Sequence, residues 1–335
     1  MIRAAIIGLG RWGRALVTSV VPTDDIGFVM ATTRTPATAQ QFCREHDIAL
    51  VETYGQILCD PRIDAVVLAT PHTQHEAQAL AASAAGKHIF VEKPITLDLA
   101  SARRVAEAAA AAGVVLGVGL ARRFHPSIAE MRKRLAAGRL GQVIAMVAQH
   151  TTSTAQFIAA DNWRASPEEA PGGAFTAVGV HVLDHMIEFA GPVRDVHCIT
   201  SRAYGGACDD TTTVMLRFAG GATGLIFCSV ATATNFSFTL YGSEGLAEIS
   251  RPDMSRLRFA PTATAAPSGV IPAPPDEVLE IPGFNVLRAE LTAFGRAIRE
   301  RKSYPVPIAD VLHGVAVFEA AVRSARQQRP VAVLP

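Results

Sequence analysis

The segment Arg3–Gly13, RAAIIGLGRWG, constrains the fold of this chain more than any other. A continuous apolar run is delivered straight into glycines at positions 8, 10 and 13, and a helical stretch follows. A strand of that composition is covered on both faces, which predicts a parallel sheet flanked by helices. The G-x-G-x-x-G spacing acquires meaning only in this strand-to-helix context. The first glycine permits a tight turn, the second lets backbone approach a pyrophosphate, and the third lets the helix pack on the strand. The anion then rests on the amino end of the helix. The competing reading is a glycine-rich turn that binds nothing.

Strand and helix keep alternating to about residue 121. Apolar, mostly β-branched runs at 26–32, 49–51, 64–70, 88–92 and 114–119 read as further strands. Thr35-Pro36 forms a plausible helix start, Thr73 and Glu76 have capping-box spacing, Gly86 suits a helix end, and Thr96 with Asp98 opens another helix. Repeated units of this kind predict an α/β, doubly wound Rossmann sheet over 1–121.

After Arg122 the texture changes. One helix near 127–138 leads into longer strands at 142–152, 211–231 (a hairpin turning at Gly220-Gly221) and 236–250. They predict an α+β domain, 122–335, with a mainly antiparallel open sheet and returning C-terminal helices near 286–300 and 310–326. Both faces of the hairpin carry apolar residues, so the sheet needs two covers. Helices supply one; a second copy of the chain is expected on the other, giving a homo-oligomer, dimer or tetramer, through this sheet. The proline- and alanine-rich stretch Pro261–Pro275 reads as a surface loop.

Bulk properties remove several classes of function. A formal net charge of +1 gives no electrostatic case for nucleic acid or an anionic membrane as partner. Five scattered cysteines without a C-x-x-C argue against a disulfide framework or a thiolate zinc site and fit a cytoplasmic protein. The apolar N-terminus is short and breaks at glycine, so it reads as a first strand and not a signal peptide. The apolar stretch 106–121 is interrupted by Glu107 and three glycines, which argues against a membrane span.

NAD enzymes of this kind place an acid about twenty residues past the fingerprint, on the ribose hydroxyl. Here the second strand ends Thr32-Thr33-Arg34 with no carboxylate. Arg34 is suited to a 2′-phosphate, which favours NADP over NAD. The alternative is that Arg34 is an exposed residue starting a helix.

Three further segments carry more specific information: ATPHTQHEAQAL (69–80), AGKHIFVEKP (85–94) and GGAFTAVGVHVLD (172–184). Together with the fingerprint they make the sequence resemble the Gfo/Idh/MocA oxidoreductases, over essentially the whole chain. The resemblance implies a pyridine-nucleotide enzyme moving hydride to or from a carbon bearing hydroxyl or carbonyl, on a sugar, polyol or other cyclic small molecule. The family's E-K-P lysine matches Lys93, at the carboxyl end of a strand where ligands of open parallel sheets bind. Partial desolvation there would lower its ammonium pKa and suit acid–base work. The family's catalytic histidine matches His181. The aspartate four residues earlier is Ala177 here, a departure that leaves His181 without its usual carboxylate partner. His181 is expected to accept the proton during alcohol oxidation while Lys93 stabilises alkoxide character, with the roles reversed in reduction.

The expected cofactor contacts are Gly8, Gly10, Arg11, Trp12, Gly13, Thr33, Arg34, Thr70, Pro71, His72, Glu92 and Lys93. Substrate contacts are expected from Lys93, His181, Arg123, Trp163, Arg164 and Asp184. Arg123 has a competing role in a domain-linking ion pair, and Asp184 a competing one in support. His75 reads as structural; His150, His197 and His313 receive no role. His181, Asp184 and His185 lack a further recognisable ligand, so no metal is assigned. Two other readings follow from the missing aspartate: net hydrolysis or elimination through transient oxidation, and a regulator that binds nucleotide or sugar without turnover. Retention of Lys93 and His181 favours redox chemistry.

Overall fold

The computed structural model describes residues 1–20, 25–159, 162–204, 206–266 and 269–334. In chain order the first elements are β1 (Ile2–Ile7), α1 (Arg11–Ser19), β2 (Ile26–Thr32), α2 (Pro36–Glu45), β3 (Ala49–Leu50), α3 (Tyr54–Cys59), β4 (Ala65–Leu68), α4 (His75–Ala84), β5 (His88–Glu92), α5 (Leu99–Ala111) and β6 (Leu116–Gly119). Next come α6 (Pro126–Ala136), β7 (Val143–Thr151), α7 (Val180–Ala190), β8 (Val193–Ser201), β9 (Thr211–Phe218), β10 (Thr223–Ser229), β11 (Asn235–Gly242), β12 (Gly245–Ser250) and β13 (Arg256–Pro261). The remainder are β14 (Thr264–Ala266), β15 (Gly269–Ile271), β16 (Glu277–Glu280), α8 (Val286–Glu300), α9 (Ile308–Gln327) and β17 (Val331–Ala332). The chain forms two compact units, 1–121 with 285–315, and 122–284 with 316–335. Residues 285–315, grouped by their sequence position with the second part, therefore pack in the first unit.

The first unit holds a six-stranded sheet in the order β3-β2-β1-β4-β5-β6, with parallel pairing throughout. Its central strands are apolar because both faces are covered: Ala65–Leu68 and Ile89–Val91 are fully buried. Helix starts follow capping chemistry. Asp98 accepts from the Ser101 amide (2.8 Å) at the head of α5, and Asn285 accepts from the Arg288 amide (3.0 Å) at the head of α8. A reciprocal capping box forms at Thr53 and Gln56. At α4 a 3₁₀ turn, His72–Gln74, precedes the helix, and Gln74 is the residue before its first turn.

The second unit is built on a nine-stranded sheet, β16-β13-β12-β11-β7-β10-β9-β8-β17. Only the β7–β10 pair is parallel; the other pairs are antiparallel. The hairpin at Gly220-Gly221 is present, with β9 and β10 in register from Thr211–Ser229 to Arg217–Thr223. Strand β8 has no counterpart among the sequence expectations, because its sequence VRDVHCITS does not alternate cleanly, is bulged at Val193–Asp195 and lies directly after an apolar helix. The stretch 261–275 is not a plain loop: β14 and β15 pair as a ribbon before β16 returns to the sheet edge. Pro267 and Ser268 of that stretch lie outside the described residues.

One face of this sheet is buried by Val214, Leu216, Phe218, Ile226 and Cys228, beneath α7 and the turn that precedes it. The opposite face presents Ile199, Met215, Leu225 and Phe227, which stay 58%, 56%, 39% and 36% exposed. Registers place Met215 beside Leu225 and Ile199 beside the Thr213 that faces Phe227, so these side chains form one apolar patch. Among the described residues no helix is long and apolar enough to cross a membrane.

Candidate active site

In the first unit the glycine turn joins β1 to α1, and each glycine has a separate structural reason. Gly8 sits at φ +98°, and a Cβ there would lie 2.7 Å from the Ala69 carbonyl oxygen. At Gly13 a Cβ would come within 1.9 Å of the Gly8 carbonyl oxygen, so helix and strand close only without one. Gly10 differs from both: nothing lies within 4 Å of its Cβ position. It caps α1 with extended backbone, offers no side-chain cap, and the first turn carries no acidic residue. The amino end of α1, with no side-chain cap from Gly10 and open space at its Cβ position, is what an approaching pyrophosphate requires. Arg11 is exposed and Trp12 half-buried on that first turn. Arg14 fixes the surroundings, donating to the Leu9 and Thr38 carbonyls and lying 5.2 Å over the Phe42 ring.

Thr33 is half-buried and Arg34 exposed immediately beyond β2, and no carboxylate follows before α2. Beyond β4, the Thr70 hydroxyl donates to Gln78 Oε1 at 2.6 Å, and Pro71 leads into His72. His75 is fully buried and ties two strand-end loops together: its Nδ1 lies 3.0 Å from the Pro94 carbonyl and its Nε2 3.1 Å from the Thr70 carbonyl. Beyond β5, buried Glu92 accepts from the Lys93 amide through Oε2 (3.2 Å), Lys93 is half-buried, and the Lys93–Pro94 peptide is cis. The loops after β1, β2, β4 and β5 all leave the carboxyl edge of the parallel sheet, the edge where open α/β sheets bind ligands.

In the second unit His181 stands in the first turn of α7, half-buried, behind a π-helical turn at Phe175–Gly179. The glycines before it are needed for contact. Gly173 is at φ +55°, where a Cβ would meet the Asp209 carbonyl oxygen at 2.0 Å, and a Cβ on Gly179 would strike the Phe175 ring at 2.2 Å. Ala177 is exposed on the π turn. π turns of this kind recur at functional sites because they re-aim side chains within a helix.

The structure also brings in His150, which sequence reasoning passed over. Its ring centroid is 6.1 Å from that of His181. Arg122 Nη2 lies 3.1 Å from His150 Nε2, and His150 Nδ1 lies 3.1 Å from the Val178 carbonyl. A guanidinium only donates, so Nε2 accepts, and Nδ1 carries the hydrogen given to Val178. Burial pushes the Arg122 guanidinium down to about 10, still charged at neutral pH, and its Cζ lies 4.6 Å over the Phe236 ring. The available signal was periodicity: Met146, Ala148 and His150 occupy successive buried positions of β7.

Arg123 and Asp184 meet each other within the second unit, at 2.7 Å and with each side chain 7% exposed. The pair joins the 3₁₀ turn Ala121–Phe124 to α7 inside the second unit, so it is not the domain-linking pair read from the sequence. Arg132 pairs with Glu188 on the next turn of α7. His185 is fully buried against Phe238, and neither ring nitrogen meets a hydrogen-bond partner among the described residues. Burial and then the positive charges of Arg123, Arg122 and Arg132 hold its pKa well below the ordinary value, so the ring is neutral. Trp163 and Arg164 stack on each other in a short 3₁₀ turn, Cζ 4.1 Å from the indole, with Asn162 capping the turn. No group of three or more His, Cys, Asp or Glu arranged to hold a metal occurs among the described residues.

Comparison with known proteins bears on the family and the fold. Residues 2–120 match the family described as "Oxidoreductase family, NAD-binding Rossmann fold", and residues 128–248 match "GFO/IDH/MocA C-terminal domain". A trans-1,2-dihydrobenzene-1,2-diol dehydrogenase of Sus scrofa is 27% identical over 238 residues, covering 70% of each chain. A scyllo-inositol 2-dehydrogenase (NAD(+)) of Bacillus subtilis is 38% identical over 148 residues, 43% of this chain and 42% of that one. Among solved structures, levoglucosan dehydrogenase in complex with NADH and levoglucosan superposes with a TM-score of 0.89 at 22% identity, over 100% of both chains. The aldose–aldose oxidoreductase of Caulobacter crescentus gives 0.85 at 24% identity over 99% of each. At these identities the structural likeness speaks for the fold.

Proposed function

This chain belongs to the Gfo/Idh/MocA oxidoreductase family, and from that premise we propose that it moves hydride between a nicotinamide dinucleotide and the hydroxyl- or carbonyl-bearing carbon of a sugar, polyol or other cyclic hydroxylated molecule. The observation that carries the reading is the glycine turn. Gly8 and Gly13 are closed against backbone while Gly10 alone stands open at the amino end of α1. A turn with no ligand has no need of that asymmetry. The named activities of the diol and inositol dehydrogenases support the substrate class.

Gly8, Gly10, Arg11, Trp12 and Gly13 would hold the pyrophosphate, Thr33 and Arg34 the adenosine ribose, and Thr70, Pro71, His72, Glu92 and Lys93 the nicotinamide end. When bound, the dinucleotide supplies the hydride acceptor or donor; the chain supplies the proton chemistry. His181 takes the hydroxyl proton in oxidation, and Lys93 donates a hydrogen bond to the oxygen as it gains alkoxide character. With alanine at 177, His150, fixed by Arg122 and Val178, is the side chain that packs beside His181. Arg123 and Asp184 act through the position of α7, and Trp163 with Arg164 borders the substrate.

NADP is the preferred cofactor in this reading, supported by exposed Arg34 and the absence of an acid after β2. The apolar sheet face around Met215 and Leu225 is the homo-oligomer interface, supported by its exposure in the single chain. Five free cysteines support a reducing, cytoplasmic setting. The functional proposal is tested by the absorbance of reduced nicotinamide over a panel of polyols, sugars and cyclic diols with both cofactors. Turnover of at least one is expected. Tight nucleotide binding with no absorbance change on any member would refute it.

A further inference from the structure

Helix α8 carries an acid where its pattern calls for an apolar residue. Glu290 precedes buried Leu291 and stands one turn before buried Phe294, and it is itself fully buried. Neither of its carboxyl oxygens meets a hydrogen-bond donor among the described residues. An ionised carboxylate in that position would lack every form of compensation, so the group carries a proton. Burial first, and then the negative charge of Glu92, hold its pKa well above the ordinary carboxylate range.

The direction of α8 locates the acid. Gly295 touches Asp25 and Ile26, where β2 begins, at the amino edge of the sheet. Phe294 lies against Gly117 in the middle of β6 (its ring 3.0 Å from the Cβ position there) and 5.5 Å from the Phe90 ring. The helix therefore runs from the carboxyl edge toward the amino edge. Stepping back one turn from Phe294 to Glu290 moves about 6 Å along the helix. Stepping forward two residues from Phe90 and Gly117 moves about 6.6 Å along the strands, to the register pair Glu92 and Gly119. The Glu92 carboxylate sits against Gly119, 3.0–3.1 Å from its Cβ position, in the space an absent side chain leaves. Glu290 thus lies over the carboxylate whose Oε2 accepts the Lys93 amide.

We infer that Glu290 is a positioning residue: its carboxyl proton is donated to the Glu92 carboxylate, and this bond fixes the strand end that presents Lys93. The role rests on the assignment of Lys93 as a proton-handling group. Two carboxyl groups then share one proton and one negative charge, a state that leaves the Lys93 side chain with a single fixed anion at its own strand end. The amide of Glu290→Gln supplies the same donor, whereas Glu290→Leu supplies none.

Two measurements on cofactor-free protein test the bond. Infrared spectra at pH 8 should show a protonated-carboxyl stretch that disappears in Glu290→Gln and shifts in Glu92→Gln. Hydrogen exchange of the peptide spanning residues 88–96 should be slow in wild type and in Glu290→Gln, and faster by about tenfold in Glu290→Leu. In turnover, Glu290→Gln should stay within about threefold of wild type, and Glu290→Leu should lose about tenfold in kcat with little change in KM. Absence of the infrared band, or a leucine variant that exchanges and turns over like wild type, overturns the inference. Should the redox reading itself fail, no variant turns over any substrate, yet the band and the exchange difference remain, so the two failures are distinguishable.

Discussion

The two units build their halves of the proposed chemistry from different materials. In the first, function is written in the backbone: three glycines, a helix amino end and four strand ends at one sheet edge. In the second, it is written in side chains brought from distant segments, with Arg122 and His150 meeting the α7 segment that carries His181. A backbone device tolerates no added methyl group at its closed points. A side-chain device tolerates volume but not the loss of a charge or a hydrogen bond. The contrast teaches where each half is vulnerable.

The largest test asks whether both halves matter equally. Lys93→Met and His181→Phe should each lower kcat by roughly 10²–10⁴-fold, the usual contribution of a positioned acid or base, with both proteins still folded by circular dichroism. If only the first-unit variant is impaired, the site is one-sided and the comparison fails.

Next comes the buried ion pair of the second unit. Removing one partner leaves the other charge uncompensated, so Arg123→Met should cost about 3–5 kcal/mol in denaturant unfolding. The double replacement Arg123→Met with Asp184→Leu should recover most of that loss. A single variant as stable as wild type would show that the pair does not hold α7.

The first unit's counterpart uses one methyl group twice. Gly13→Ala drives a Cβ into the Gly8 carbonyl, and overpacking of this kind costs about 1–3 kcal/mol or more. Gly10→Ala has open space, so its melting temperature should match wild type while its KM for dinucleotide rises about tenfold or more. Equal effects at both positions would remove the reason for calling Gly10 the open point.

These contrasts also explain what the sequence could and could not disclose. The glycine turn was legible because all its parts lie within six residues and each has a local steric cause. The strand ending at Glu92 was legible from its own apolar run, as was the alternation that builds the parallel sheet, whereas the role read for Lys93 came from the family resemblance. His150 was not, because its partners Arg122 and Val178 are each 28 residues away and nothing local marks it. Strand β8 was missed, and the helices of 285–315 were read but grouped with the second part, because pairing and packing partners, not propensity, decide both. The pairing of Arg123 with Asp184, 61 residues apart, was open for the same reason.

The smallest predicted effect is in pH dependence, and it has opposite signs in the two units. Glu290 holds its proton in the fold above the ordinary Glu value of about 4.3, so the native state binds the extra proton. Its contribution is fully present below that value and is lost as pH rises toward the raised one. His185 is the reverse: its folded pKa is depressed, so stability is lost as pH falls below about 6.5. Each contributes at most about 1.4 kcal/mol per pH unit. Glu290→Gln should flatten the alkaline limb of stability against pH, and His185→Phe the acidic limb. A replacement that leaves its own limb unchanged would place that group's titration outside folding.

The redox assignment itself is tested most directly by following the transferred hydrogen. A substrate from the panel, deuterated at its carbinol carbon, is incubated with the protein and oxidised NADP or NAD, and the reduced dinucleotide is weighed by mass spectrometry. The account predicts one deuterium in the nicotinamide with wild type, and the same label appearing roughly 10²–10⁴-fold more slowly with Lys93→Met. Product formation with an unlabelled nicotinamide would contradict it.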